Sequence, residues 1–317
     1  MTTTTPAGGG ASPVIEAEAL GKRWGTTVVF DDATFTIGTG ITGLLGANGS
    51  GKTTLLGMVL GLHGGDGGTL RVFGMDPALA GPAVRARIGY APEHESLPPD
   101  VRAHDFVRHV AELHGIPRRQ AISRSSDALF EVDLGEERFR PIGTMSTGQK
   151  QRVKLAQAIV HDPEVVLLDE PTNGLDPVQR DQMLALIRRC GHTLGLNVVL
   201  SSHLLDEVDR TCDRVVILAN GRARAGGEIA DMQDEGTEVE VEIDAADAAH
   251  SARVVAAIVG QGETVTSVDG DVVRVTFAGP ETFERLAAAI VGADAGVRRL
   301  RRVRRTLADA YLEATDA

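Results

Sequence analysis

Cysteine is almost absent from this 317-residue chain, which has only Cys190 and Cys212. Two thiols cannot build a disulfide framework, and neither sits at metal-ligand spacing from another ligand. Both therefore read as reduced and partly buried, which favours the cytosol. Long apolar runs are absent too. No stretch approaches the roughly 20 apolar residues that cross a bilayer, so work at a membrane requires another chain to supply the span. Positive charge is in deficit, with a formal net charge of -12, which argues against a nucleic-acid partner held by general electrostatics. The opening MTTTTPAGGGASP lacks the basic start and apolar centre of a signal peptide, and its Thr, Gly and Pro content predicts a disordered tail over residues 1–13. What remains is ordinary globular composition, 42% hydrophobic and 24% charged, on a chain long enough for one large domain and a smaller one.

From Val14 to about Ala230, apolar strand-like runs alternate with helix-like runs, which predicts an α/β domain over residues 14–233 with a mostly parallel sheet. The clearest strands are Ile41–Leu45, Val165–Leu168, Val198–Leu200 and Val215–Leu218. Being short and almost wholly apolar, they suit burial on both faces. Helical segments at Ala103–His114 and Ser123–Val132 predict an inserted helical subdomain over about 98–160. After Glu235 the texture changes to a strand of alternating charge, Glu238–Ile243, then a helix at Ala245–Val259. Two strands follow, Glu263–Val268 and Asp271–Phe277, joined at Asp269-Gly270, a favoured hairpin turn. A helix at Glu281–Val291 and a strand near Val297–Val303 complete the order β-α-β-β-α-β, which predicts a small α+β, ferredoxin-like domain over 237–317. A last helix begins at Thr306, with Asp309 placed for a capping box.

The sharpest local signal is Gly46-Ala47-Asn48-Gly49-Ser50-Gly51-Lys52-Thr53, followed by Thr54. It fits G-x-x-x-x-G-K-[ST] between an apolar strand and a helix-like run, the context that a phosphate loop requires. Glycines let the backbone curl so that N–H groups form an anion nest at a helix N-terminus. Lys52 is then placed for the β- and γ-phosphates of ATP, and the Thr53 hydroxyl for Mg²⁺. A second element, Val165–Glu170, is an apolar strand ending in two carboxylates. It delivers charge to the carboxyl edge of the sheet, where α/β folds bind ligands. Asp169 suits the metal and Glu170 the attacking water, as a general base.

Between these motifs lies Met145-Ser146-Thr147-Gly148-Gln149-Lys150-Gln151-Arg152. It resembles the signature of the ABC ATPase family, in which Leu-Ser-Gly-Gly-Gln is commonest; Thr147 replaces a glycine, while Ser146, Gly148 and Gln149 are kept. Other family-like marks follow in order. Gly174-Leu175-Asp176-Pro177 resembles the loop that couples two ATP sites, and His203, after Ser201-Ser202, resembles the switch histidine that contacts the γ-phosphate. Trp24 falls where the family carries an aromatic that stacks on adenine; its plain alternative is a half-buried core aromatic. Glu93, in Gly89-Tyr90-Ala91-Pro92-Glu93, stands where glutamine is usual. It either ligates the metal or raises a neighbour's pKa by like-charge repulsion.

The resemblance, which covers roughly Val14–Ala230, implies a P-loop NTPase of the ABC ATPase type that binds and hydrolyses ATP with Mg²⁺. It further implies two chains, expected to be identical, that sandwich two ATPs head to tail, with Ser146 and Gly148 of one copy facing the phosphate loop of the other. One nucleotide domain with a small C-terminal extension resembles the ATPase subunits of bacterial ABC exporters. Those subunits pair with an integral-membrane permease and sit peripherally on the inner face of the cell membrane. The permease is expected on the helical subdomain, near Glu93–Pro141. The alternative is an ABC ATPase of an assembly or regulatory system without transport, such as the iron–sulphur assembly type. For the C-terminal domain, dimer stabilisation, permease contact and regulation stand open. Arg298, Arg299, Arg301, Arg302, Arg304 and Arg305 crowd one segment, which reads either as a solvated strand face or as a contact for anionic lipid headgroups or an acidic patch on a partner.

Overall fold

A computed structural model describes residues 13–94, 97–232, 235–304 and 306–316. Its order begins β1 (Ile15–Trp24), β2 (Thr27–Ile37), β3 (Ile41–Leu45), α1 (Lys52–Val59), β4 (Gly67–Val72), α2 (Gly81–Arg85) and β5 (Ile88–Ala91). Then come α3 (Ala103–Leu113), α4 (Arg118–Glu131), α5 (Thr147–Ile159), β6 (Val165–Asp169), α6 (Pro177–Arg188), β7 (Asn197–Ser202), α7 (Leu205–Thr211), β8 (Arg214–Ala219) and β9 (Arg222–Glu228). After α8 (Ile229–Met232), the chain forms β10 (Glu235–Asp244), α9 (Ala248–Gly260), β11 (Val265–Asp269), β12 (Val272–Thr276), α10 (Glu281–Gly292), β13 (Gly296–Arg304) and α11 (Leu307–Asp316). The chain divides into two compact units. One runs to Ile229 and takes in the chain again from Tyr311, and the other is Ala230–Ala310.

In the first unit, six strands run β5-β6-β7-β3-β8-β9, parallel except for β9, which pairs antiparallel with β8. The apolar runs of the sequence are the central strands because both faces of this sheet are buried. On β6, Val166 and Leu168 pack into a core shared with α3, α4, α5 and α6. Val165 and Leu167 point the other way, into a core shared with α1 and the antiparallel sheet β2-β1-β4. A period-2 strand thus serves two cores at once. Strand β7 ends at Ser202, two residues beyond the run read from the sequence, and β6 includes Asp169. Both polar ends are therefore part of the ladder.

Helix α4 starts at Arg118, five residues before the predicted Ser123, because Pro117 occupies its N-cap with extended geometry and its first turn is polar. Strand β5 passes so close to α5 that a Cβ on Gly89 would overlap the Ala158 carbonyl oxygen. Only glycine permits that approach.

In the second unit the strands run β11-β12-β10-β13, all antiparallel. Val239, Val241 and Ile243 of β10 meet Val254 and Ile258 of α9 and Leu286 and Ile290 of α10 in one core. The hairpin closes one residue later than predicted. Asp269 pairs with Val272, so the turn is Gly270-Asp271, with Gly270 in the first position at φ +58°, where a left-handed residue is required. Helix α9 begins after Asp247, whose side chain accepts from His250 N–H, rather than at Ala245. The capping box at α11 is formed, with Thr306 N–H donating to Asp309 and Asp309 N–H to the Thr306 hydroxyl.

The arginine-rich segment is β13, and Arg298, Arg301 and Arg302 are engaged within the unit. Arg298 pairs with Asp244, Arg301 and Arg274 share Glu240, and Arg302 stacks on Phe277 at 3.9 Å. The Glu240 carboxyl is raised by burial but lowered further by Arg301 and Arg274, so that it ends below its ordinary range. These pairings spend part of the segment's positive charge inside the unit. Arg305 lies outside the described residues.

Replacing Gly89 with alanine forces β5 from α5, so Gly89→Ala is expected to cost about 1–3 kcal/mol of stability by overpacking. Gly64→Ala, where a Cβ meets open space, serves as the control. Urea denaturation of both reads the difference.

Candidate active site

Strand β3 delivers the chain into the loop of residues 46–51 at the carboxyl edge of the sheet. Gly51, at φ +100°, precedes α1 and packs so that a Cβ would sit 2.7 Å from Val29 Cγ1 and 2.8 Å from the Phe30 ring. The loop is thus wedged against β2 and tolerates no side chain there. No side chain caps α1 and no acid lies in its first turn. Its leading N–H groups and positive dipole end are left for an anion.

Lys52 is 6% exposed. Its ammonium donates to the Gly46 carbonyl at 2.7 Å and lies 3.3 Å from Glu170 Oε1. That carboxylate also places Oε2 2.9 Å from His203 Nδ1. Glu170 holds this position with φ +47°, a left-handed geometry that non-glycine residues rarely adopt. Its N–H is anchored on the Ser201 carbonyl at 3.2 Å. One residue back, Asp169 is 2% exposed and accepts from the Ser201 hydroxyl at 2.9 Å, while its buried Oδ2 has no hydrogen-bond partner. Burial pushes the Asp169 carboxyl above its ordinary pKa; the Ser201 and Thr53 hydroxyls act against this, and Glu93 and Glu170 reinforce it by repulsion.

The Glu93 side chain accepts from Asn173 Nδ2 at 3.1 Å, while the buried Lys154 ammonium donates to its carbonyl at 2.8 Å and to that of Pro92 at 3.0 Å. Burial first, then Asp169 and Glu93, push the nearby Tyr90 phenol up to about 12. Lys52, Glu93, Glu170, Asn173 and His203 share a pocket of about 490 Å³ that is also lined by Val29, Asn48, Gly49, Gly51, Thr53 and Thr54. An ammonium, first-turn N–H groups and hydroxyls suit a polyphosphate. The orphaned Asp169 oxygen beside the Thr53 hydroxyl is an oxygen-only donor set that fits a hard cation such as Mg²⁺.

Other expected site residues lie elsewhere in the same unit. Ser146 caps α5 in a reciprocal box with Gln149, and a Cβ on Gly148 would sit 2.6 Å from Gln179 Oε1. Ser146, Gly148 and Gln149 line a second pocket of about 260 Å³ with Asp133, Arg152, Leu175 and Gln179. Asp176 caps α6, accepting from Gln179 N–H at 2.9 Å. Trp24 is outside the lining of the phosphate pocket; it is 47% exposed, edge-on to His63 at 5.0 Å and beneath the Lys22 ammonium at 4.7 Å. Sequence reasoning missed Asn173, which bridges to Glu93, and Ser201, which bridges β7 to Asp169. The available signal for Ser201 was a hydroxyl at the polar end of a strand bound to sit beside the acid-ended one.

A parallel sheet with a glycine loop at its carboxyl edge, a buried lysine and paired acids defines a P-loop ATPase. More narrowly, the chain belongs to the ABC transporter ATP-binding family, whose domain description, "ABC transporter", matches residues 30–173. It is 34% identical over 221 residues to the Nod factor export ATP-binding protein I of Ralstonia nicotianae, spanning 69% of this chain and 68% of the relative. Over 220 residues it is 32% identical to the linearmycin resistance ATP-binding protein LnrL of Bacillus subtilis, spanning 69% and 70%. A solved structure, an ATP binding subunit of an ABC transporter, superposes with a TM-score of 0.62 at 28% identity, over 69% of this chain and 92% of that one.

Removing the Lys52 ammonium leaves Glu170 without its cation and the pocket without its one lining lysine. ATP turnover by Lys52→Ala is expected to fall by about 10²-fold or more, measured as phosphate release. Turnover at the unaltered rate would show that Lys52 does not meet the phosphates in this pocket.

Proposed function

We propose that this chain is the ATP-hydrolysing subunit of an ABC exporter and that it works as a pair of identical chains beneath a membrane permease. The observation that supports pairing is that the two pockets share no lining residue. Ser146 and Gly148 cannot serve their own chain's phosphate loop without rearrangement, whereas a second copy arranged head to tail supplies them.

Within each site, residues 46–54 hold the triphosphate by backbone N–H groups and the helix end, and Trp24 offers a ring face to the base. Lys52 supplies positive charge to the phosphate oxygens. Glu170 takes a proton from the attacking water, and His203, hydrogen-bonded to Glu170 Oε2, orients that carboxylate and reaches toward the terminal phosphate. Thr53 and Asp169, with Glu93 as a third ligand, would hold Mg²⁺, which supplies charge neutralisation on the phosphate oxygens when bound. Closure on ATP and reopening after hydrolysis make the pair a ligand-biased switch.

The relatives' names, one for export and one for antibiotic resistance, support outward transport over an assembly role. Among the described residues no helix is long and apolar enough to cross a membrane, so the permease brings the span. The helical subdomain is its docking face, and the inner face of the cell membrane is the place of work. A net charge of -12 speaks against nucleic acid as a partner.

The test uses Glu170→Gln, which keeps the pocket and removes the base. With saturating ATP and magnesium it is expected to run as a dimer in light scattering, and adding Ser146→Arg is expected to return it to monomer. A Glu170→Gln protein that stays monomeric with nucleotide bound would count against the paired arrangement.

A further inference from the structure

Glu207 is a carboxylate at 1% exposure that the hydrolysis scheme leaves without a task. It lies on α7 and lines neither the phosphate pocket nor the signature pocket. Burying an acid is costly unless its charge is met, and here one oxygen is hydrogen-bonded while the other, with no hydrogen-bond partner, faces a guanidinium in an ion pair. Oε2 accepts from the Ser202 hydroxyl at 2.7 Å, and Oε1 lies 3.4 Å from Arg180 Nε. The Ser202 oxygen in turn accepts from Leu204 N–H at 3.1 Å. One hydroxyl therefore ties residue 202 to residue 204 across His203 and is itself fixed by Glu207.

The turn that results carries the histidine whose Nδ1 is 2.9 Å from Glu170. The three residues at the end of β7 divide the labour: Ser201 holds Asp169, His203 meets Glu170, and Ser202 locks the turn between them. Arg180 sits on α6, the helix that Asp176 caps, so the ion pair also braces the turn against that helix.

We propose that Glu207 is a positioning residue for ATP hydrolysis: through the Ser202 hydroxyl it sets the His203 turn, and thereby the orientation of the Glu170 carboxylate, with Arg180 as its brace. It neither binds nucleotide nor exchanges a proton with it. The signature of such a role is a loss in kcat without a matching rise in KM, because nucleotide binding rests on the loop of residues 46–54, whereas the geometry of the base rests on this turn.

The experiment is steady-state ATP hydrolysis by the full chain, with melting temperature recorded for each variant. Ser202→Ala and Glu207→Ala are each expected to lower kcat by about 10- to 100-fold, with KM for ATP changed by less than about threefold. The double variant is expected to be no worse than the poorer single, since both break one linkage. Glu207→Gln can still accept from the Ser202 hydroxyl and is expected to keep kcat within about threefold of the parent. Ring nitrogen shifts of His203 in the nucleotide-free protein are expected to move in Ser202→Ala and stay put in Glu207→Gln. Arg214→Gln, which opens a surface pair with Glu228, is the control and should leave all readouts unchanged.

The proposal fails if folded Ser202→Ala keeps the parent kcat, if KM rises in step with the loss, or if the two single losses multiply. Should the buried alanine variants not fold, Arg180→Gln at its half-exposed position decides. A kcat lowered about threefold or more at constant KM supports the brace, and an unchanged kcat overturns it.

Discussion

The structure depends on one lysine ammonium kept almost dry between a carbonyl and a carboxylate. Lys52 is held by Gly46 on one side and Glu170 on the other, and neither partner could be there without the parallel sheet. Strands β3 and β6 are separated only by β7, so their carboxyl ends bring a glycine loop and an acid pair within reach of each other. Burial on both faces fixes the register of these strands, because a slip would drive apolar side chains out of both cores. The charges at the edge are thus placed by apolar packing below them.

The parts of the fold that were legible in the sequence are those with this double burial. Ile41–Leu45 is found as read, and Val165–Leu168 gains only Asp169. Illegible elements lack that signal. Helix α4 buries Ala121, Ser125, Ala128 and Leu129, small residues among polar ones, so its first turn carries little periodicity to read. Strand β1 is broken by bulges and buries the Lys22 stem while exposing Trp24. The hairpin turn was misplaced by one residue because Asp-Gly and Gly-Asp both occur there, and only the pairing of Asp269 with Val272 decides between them.

In the site, motif residues adjoining a glycine loop or a strand end could be located in advance, since local chemistry and context coincide. Contacts between distant segments could not. Asn173 meets Glu93 eighty positions away in the chain, and Lys154 reaches back from α5 to the Pro92 and Glu93 carbonyls. The substitution of glutamate for the usual glutamine at position 93 was visible, but its tether was not. With its carbonyl gripped by α5 and its side chain by Asn173, Glu93 is tied both to the helix that Ser146 caps and to the segment leading to Asp176.

The arginines of β13 have a colloidal consequence. That strand ends the order of its sheet, and an unpaired rim of amides invites another chain to extend it. Two copies that met rim to rim, antiparallel about Leu300, would set Arg299 of one opposite Arg301 of the other, and like charges directly opposite one another repel. Cationic side chains along the last strand thus disfavour edge-to-edge joining of two C-terminal units through β13.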